Sequence, residues 1–317
     1  MPIYSAFLHR LDVISWRIFR FQLTKKDQSI RLSHLVCLKD SNHREAWAEI
    51  SPLPGRSKET IDEALLQLRN VLKKEKPSHL YPSVSFALAT ALKQFSFPPI
   101  PLCALLSGSK QEIMEQALLA KHKGFSSAKI KLSQLSLEDA FFVLDHLRKI
   151  FSLRVDANQR FSFQEAMHFF GQFPSLAFDF VEEPTWETSR LVDFSHPFGL
   201  DETLEKNPHF MFENLANCRA VVVKPMIQGF FTTKKLMKRL EKKRIKLIFS
   251  SSYESGVGLM QIVRLAMQTK LYPLGLDTQS SFTEDLLTPF PIFSSPICTC
   301  PFPAQIQTHL LQEIDHG

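Results

Sequence analysis

The feature that most restricts the fold of this chain is a rhythm that begins after residue 101. Short apolar runs alternate with longer amphipathic stretches. The runs are Leu102–Leu106, Ala128–Leu132, Leu153–Ala157, Phe178–Val181, Phe198–Leu200, Ala220–Val223, Leu247–Phe249 and Leu274–Leu276. Between them lie stretches of helical spacing, such as Glu112–Lys121, Glu138–Ile150, Phe163–Phe170 and Gly258–Gln268. A strand covered on both faces reads as a continuous apolar run, and a parallel neighbour needs a crossover, usually a helix. About eight such units, at roughly 20–30 residues each, predict a closed α/β barrel. Phe198–Leu200, short and preceded by a proline, is the weakest of the strands.

The first hundred residues have another texture. Trp16–Leu23 and Leu32–Leu38 read as strands, while Ile61–Leu72 carries apolar residues at helical spacing and Ser83–Leu92 reads as a second helix. An α+β unit over residues 1–98 is expected, ending at the proline-rich link Phe97-Pro98-Pro99-Ile100-Pro101. The barrel is expected over 99–289. The remaining 290–317 is read as a segment returning to the first unit, with a helix over Ile306–Ile314.

Composition narrows the function classes. With 317 residues, 44% of them hydrophobic, the chain can bury a large core. No apolar stretch approaches the roughly 20 residues that span a bilayer, and Met1–Arg20 lacks the layout of a signal peptide. A cytoplasmic chain with no membrane partner is expected. The five cysteines (Cys37, Cys103, Cys218, Cys298 and Cys300) are scattered and odd in number, which predicts free thiols, not a zinc cage. The net charge of +6 raises nucleic acid as a partner. Much of it sits in Lys234–Arg244, where Leu236, Met237 and Leu240 share one face and the lysines the other. That is the pattern of a solvated helix, and no nucleic-acid partner is expected. A modest positive field still favours a small anionic substrate.

The chemistry is concentrated where the apolar runs end. The second ends in Lys129-Ile130-Lys131 and the third in Asp156-Ala157-Asn158. The fourth leads into Glu182-Glu183-Pro184, the fifth into Asp201-Glu202, and the sixth into Lys224-Pro225. In a parallel barrel these ends converge on one mouth. Charges are costly to gather there unless they bind something. Asp156, Glu182 and Asp201 offer hard oxygen ligands to one cation, most naturally Mg²⁺, with Mn²⁺ as a substitute. Taken singly, each acid is an ordinary turn or cap residue; their order at successive strand ends is the signal.

The order Lys-x-Lys, Asp-x-Asn, Glu-Glu-Pro, Asp-Glu, Lys-Pro resembles the muconate-lactonising-enzyme subgroup of the enolase superfamily. Ala48–Thr60, Pro82–Ala87, Ser250–Ser255 and Gly275–Thr278 are similar to stretches of the o-succinylbenzoate synthases, dehydratases of menaquinone biosynthesis. Two departures fall at the capping loop: Ala48 where glycine is common, and Arg56 where an aromatic is common. The resemblance implies a modified (β/α)7β TIM-type barrel under an α+β capping domain. It implies Mg²⁺ on Asp156, Glu182 and Asp201, Lys131 as general base and acid, Lys224 as the cation on the opposite face of the substrate, and Lys129 as a supporting charge. It places Arg154 and Asn158 near the substrate, with Ser250, Gly275 and Leu276 lining its carboxylate end. The implied substrate is a small dicarboxylate, 2-succinyl-6-hydroxy-2,4-cyclohexadiene-1-carboxylate, dehydrated to 2-succinylbenzoate. Mg²⁺ would stabilise the charge created when a proton beside a carboxylate is removed, the general arrangement of this superfamily. Nearby cations favour a neutral lysine, which can then accept that proton.

Other readings remain open on the same residues. N-acylamino-acid racemisation or dipeptide epimerisation could use Lys131 and Lys224 as paired bases. Dipeptide epimerases, however, typically carry Asp-x-Asp where this chain has Asp277-Thr278-Gln279. Muconate cycloisomerisation is a further reaction on the scaffold. A catalytically inactive barrel acting as a binding protein is the alternative of a different class. A metal hydrolase lacks the histidines: His196 alone is near a strand end and reads as a surface or capping residue.

Overall fold

The computed structural model describes residues 13–75 and 77–317. The expectation that Met1–Arg20 is not a signal peptide therefore lies partly outside the described residues. Three antiparallel strands open the fold: β1 (Val13–Thr24), β2 (Ile30–Asp40) and β3 (Glu45–Ile50). Two helices, Ile61–Leu72 and Pro82–Thr90, pack on this sheet. The first begins at a capping box, in which Thr60 and Glu63 satisfy each other's backbone N–H groups. Ala64, Leu65, Leu68 and Val71 then face Ile18, Val36 and Leu38 across a small separate core.

After β4 (Phe97–Pro101), seven parallel strands follow in register order. They are β5 (Ala104–Leu106), β6 (Ser127–Lys131), β7 (Ser152–Asp156), β8 (Phe180–Glu182), β9 (Phe198–Leu200), β10 (Cys218–Val223) and β11 (Lys246–Phe249). Each pairs with its sequence neighbour, as right-handed β-α-β units require. The segment at Leu274 and Gly275 bridges Leu102 at one edge and Ser250 at the other, both in parallel, and so joins the two ends of the sheet. The expected eight-run barrel is present, and Phe198–Leu200 forms its strand.

The pleat decides which side chains face inward. Ala128 and Ile130, Leu153 and Val155, Phe198 and Leu200, and Val221 and Val223 all join the core beneath the surrounding helices. Their alternates point into the barrel. There Phe180, Ala220, Val222 and Ile248 form a compact apolar floor. Above that floor the inward positions turn ionic.

The chain end departs from expectation. Ile306–Ile314 is not a helix: a short 3₁₀ turn (Thr308–Leu310) is followed by a strand, Gln312–His316. That strand pairs antiparallel with β1 as the edge of the first sheet. The stretch Gln312-Glu313-Ile314-Asp315-His316 has no apolar stripe to bury as a helix. The free edge of β1 supplies backbone partners instead. His196 also departs, being buried with Nε2 3.3 Å from the Phe173 carbonyl and its ring against Phe170 and Phe194. The basic run behaves as expected, with Leu236, Met237 and Leu240 buried and Lys235 and Lys238 exposed. All five cysteines are free and buried. Among the described residues no helix is long and apolar enough to cross a membrane.

Candidate active site

A cavity of about 90 Å³ opens at the C-terminal ends of the strands. Its wall takes in Lys129, Lys131, Arg154, Asp156, Asn158, Glu182, Lys224, Ser250 and Gly275, nine of the eleven residues singled out from sequence. Phe180, Val222 and Ile248 form its apolar base. Asp201 contributes no atom to the wall but pairs with Lys224. Leu276 is a correction: its side chain is fully buried in the core outside the barrel. Gly275 faces the cavity, so the pleat sends its neighbour the other way.

The acids and lysines form one network. The Lys129 ammonium lies 2.8 Å from both oxygens of Glu182 and 2.8 Å from Asp156 Oδ2. Lys224 pairs with Asp201, and lies 3.9 Å from Glu205. No ion pair or hydrogen bond from the Lys131 ammonium forms among the described residues, although it lines the same wall. Burial works against the charge on Lys129, but the carboxylates of Asp156, Glu182 and Asp201 outweigh it and raise its pKa. Lys224 is raised in the same way, chiefly by Asp201. Burial pushes Glu182 up to about 8; Lys129 pulls the other way, and Asp156 and Asp201 add to the push. Burial also opposes ionisation of Asp201, yet Lys224 and Lys129 hold it below the usual carboxylate range.

The chemistry of these donors fits a hard divalent cation. Three carboxylates with 1–3% of their side-chain surface exposed sit on adjacent strands. Asp201 Oδ1 is buried with no hydrogen-bond partner, a costly state that a cation would relieve. As the side chains stand, the two ammoniums partner the acids. Among the described residues no three acidic or metal-binding side chains converge as a ligand array.

Several contributors were not singled out by the sequence reading. Glu183 is buried and accepts from the backbone N–H groups of Asp201 (2.6 Å) and Thr203 (2.8 Å), and from the Thr203 hydroxyl (2.6 Å). It adopts φ +49°, a left-handed backbone that positions neighbouring strand ends at a strain cost. Glu49 of β3 reaches across to the start of the helix Gly256–Ala266 and accepts from Ser255 Oγ at 2.6 Å and from the Gly258 N–H at 3.0 Å. A Cβ on Gly258 would stand 2.9 Å from Glu49 Oε2, so glycine is needed for that approach. Arg56, Tyr253 and Asp277 also line the cavity. The signals for them were the Glu-Glu doublet, the departure at Arg56, and the resembling stretches Ala48–Thr60, Ser250–Ser255 and Gly275–Thr278, none of which assigned them a role.

Comparison with known proteins bears on what this site belongs to. The family described as "Enolase C-terminal domain-like" matches residues 112–297, and "MenC, N-terminal domain" matches 15–95. An o-succinylbenzoate synthase of Vibrio cholerae serotype O1 is 33% identical over 288 residues, covering 81% of this chain and 84% of that protein. The chain belongs to the o-succinylbenzoate synthase family of the enolase superfamily. An o-succinylbenzoate synthase of Haemophilus influenzae is 28% identical over 319 residues, covering 89% of this chain and 95% of the relative. The fold recurs in the o-succinylbenzoate synthase of Thermosynechococcus elongatus BP-1, solved with Mg in the active site. The TM-score is 0.65 at 24% identity, over 85% of this chain and 94% of that one. It recurs too in an N-succinyl Arg/Lys racemase from Bacillus cereus, with TM-score 0.79 at 16% identity over 96% of this chain and 99% of that one. The smaller N-terminal sheet-and-helix unit, matched by that N-terminal domain family, packs against the helices Pro225–Leu240 and Gly256–Ala266 that surround the curled parallel sheet.

Proposed function

We propose that this member of the o-succinylbenzoate synthase family removes water from 2-succinyl-6-hydroxy-2,4-cyclohexadiene-1-carboxylate, with Lys131 moving the proton. It is a metal-dependent carbon–oxygen lyase. The observation that carries the proposed roles is the contrast among the three lysines of one wall. Lys129 and Lys224 are locked in ion pairs, while Lys131 has no partner among the described residues.

Asp156, Glu182 and Asp201 would hold Mg²⁺. When bound, Mg²⁺ supplies Lewis-acid stabilisation of the negative charge that develops on the substrate carboxylate. Lys131 takes the proton from the ring carbon beside that carboxylate. The electron pair of the broken C–H bond becomes part of the aromatic ring as the C–O bond to the hydroxyl breaks. The same Lys131, now an ammonium, gives its proton to the departing hydroxyl, which leaves as water. Lys224 offers its charge to the delocalised anion, and Lys129 holds Asp156 and Glu182 in place. Phe180, Val222 and Ile248 form a dry base against which the ring can lie.

Asn158, Ser250 and Gly275 are at the wall, where Asn158 Nδ2 donates to Glu202 (3.3 Å) and Ser250 Oγ to the Gly275 carbonyl (3.2 Å), bonds that a substrate's polar groups would have to share or replace. Arg154 lines the wall too, but its guanidinium already bonds Asp179 (3.3 Å) and the Pro273 carbonyl (2.7 Å). Its contribution to substrate binding is therefore a positive charge close by. The experiment is a spectroscopic assay for 2-succinylbenzoate with and without EDTA. Turnover that survives removal of divalent metal would overturn this reading, and racemisation of N-succinylamino acids without dehydration would favour the other reaction of the scaffold.

A further inference from the structure

We propose that Arg56 is a positioning residue, an ionic latch that holds the loop of residues 53–58 down over the cavity. The inference rests on the cavity being the reaction site. The two roots of this loop are fixed. Arg31 donates to the carbonyls of Pro52 (2.8 Å) and Ser51 (2.6 Å) on one side. Buried Glu59 accepts from the Ser83 N–H (2.9 Å) and hydroxyl (2.6 Å) on the other. Between these roots the loop braces itself. The Arg56 N–H donates to the Leu53 carbonyl at 3.1 Å and that of Ser57 at 2.8 Å, around Gly55 at φ +77°.

What binds this tip to the barrel is charge. Arg56 Nη1 lies 3.0 Å from Glu202 Oε1, and Nη2 lies 2.6 Å from Glu205 Oε2. Nε donates to the same Glu205 oxygen at 3.2 Å, making a two-pronged grip. Both acids belong to the short helix Glu202–Lys206 that follows Asp201. The Arg56 side chain is 33% exposed and its partners 12% and 11%, so the pairs are sheltered yet reachable by salt. An aromatic residue, common at this position in the resembling family, would close the loop by apolar burial and would be indifferent to salt.

The cavity beneath the latch is small. About 90 Å³ is small beside the roughly 300–1,000 Å³ usual for small-molecule sites. Arg56 is part of that cavity's wall, so parting of the grip widens the way in for a substrate. Arg56 Nη2 lies 3.9 Å from Asp201 Oδ2, and Glu205 lies 3.9 Å from Lys224, so the closed loop also steadies that pair.

The test compares wild type, Arg56→Met, Arg56→Lys and Glu205→Gln as full-length proteins at constant Mg²⁺. Hydrogen exchange is followed at the amides of Arg56 and Ser57, and KM and kcat are measured from low to high KCl. In Arg56→Met and Glu205→Gln, exchange should quicken about tenfold or more, the ratio that a 1.4 kcal/mol loss gives. KM should rise by a similar factor, with a smaller fall in kcat, and its dependence on salt should be weaker than in wild type. Arg56→Lys, keeping charge without the fork, should lie between. Unaltered exchange in both variants, or a wild-type KM indifferent to salt, would overturn the latch. Exchange decides it even where no dehydration is seen; a wild type without dehydration counts against the proposed reaction instead.

Discussion

Lys129 and Glu182 meet as a buried ion pair, the ammonium 2.8 Å from each carboxylate oxygen. The two residues sit on β6 and β8, with Asp156 of β7 between them sharing the same ammonium. One lysine therefore offsets two acids that would otherwise repel each other in a place water barely reaches.

Removing that lysine should expose the demand for a cation. In Lys129→Met, two buried carboxylates lose their counter-charge, a change that typically costs about 3–5 kcal/mol. The variant should melt well below wild type without metal. Added Mg²⁺ should raise its melting temperature by more than it raises that of wild type, because binding to the folded state alone adds stability. An equal rise in both proteins would speak against these carboxylates as the metal's ligands.

Lys131→Ala should separate chemistry from metal binding. General acid–base groups contribute about 10²–10⁴-fold, and here one residue serves both proton steps, so kcat should fall by at least that factor. Calorimetric Mg²⁺ affinity should stay close to that of wild type, since Lys131 pairs with none of the three acids. Near-normal turnover would remove Lys131 from its role.

His34 predicts acid sensitivity of the first sheet. Its side chain is buried and neither ring nitrogen has a partner. Burial, with Arg20 nearby, pushes it down to about 4 from an ordinary 6.5. The unfolded chain then takes up a proton below pH 6.5 that the folded chain refuses, so stability falls as pH drops from about 6.5 towards 4. At roughly 1.4 kcal/mol per pH unit the loss is on the order of 3 kcal/mol at most. Denaturant melts at pH 7 and pH 4.5 should show a smaller fall for His34→Leu than for wild type; equal falls would dismiss the effect.

Gly199 makes room for the base of the cavity. A Cβ there would lie 2.7 Å from the Phe180 ring, inside a contact that neither rigid strand can relax. Gly199→Ala should cost about 1–3 kcal/mol by overpacking. It should also impair turnover by shifting Phe180. A chemical melt within 0.5 kcal/mol of wild type, a value about the size of ordinary surface effects, would show that the ring has space to move.

Much of this was legible before any coordinates. Ile61–Leu72 and Phe163–Phe170 are helices with the bounds that their apolar spacing indicates. Helix spacing and strand runs are local properties, written in neighbouring residues. The tail was not legible, because Gln312–His316 is a strand only through the open edge of β1, nearly three hundred residues earlier. Leu276 was misplaced for a related reason: adjacent residues on a strand face opposite ways, and motif order alone does not say which one faces the cavity.

What the sequence by itself determined is the order of strands and the charge that each carries to the barrel mouth. Both follow from short-range periodicity, which survives without knowledge of the rest of the chain. Only the tertiary structure decided which charge answers which. Lys129 chose Asp156 and Glu182, Lys224 chose Asp201, Lys131 was left without a partner, and Arg56 reached Glu205 across 149 positions. Such pairings depend on how closed loops bring distant side chains together and on how little water remains between them, and neither is encoded in any one stretch of residues.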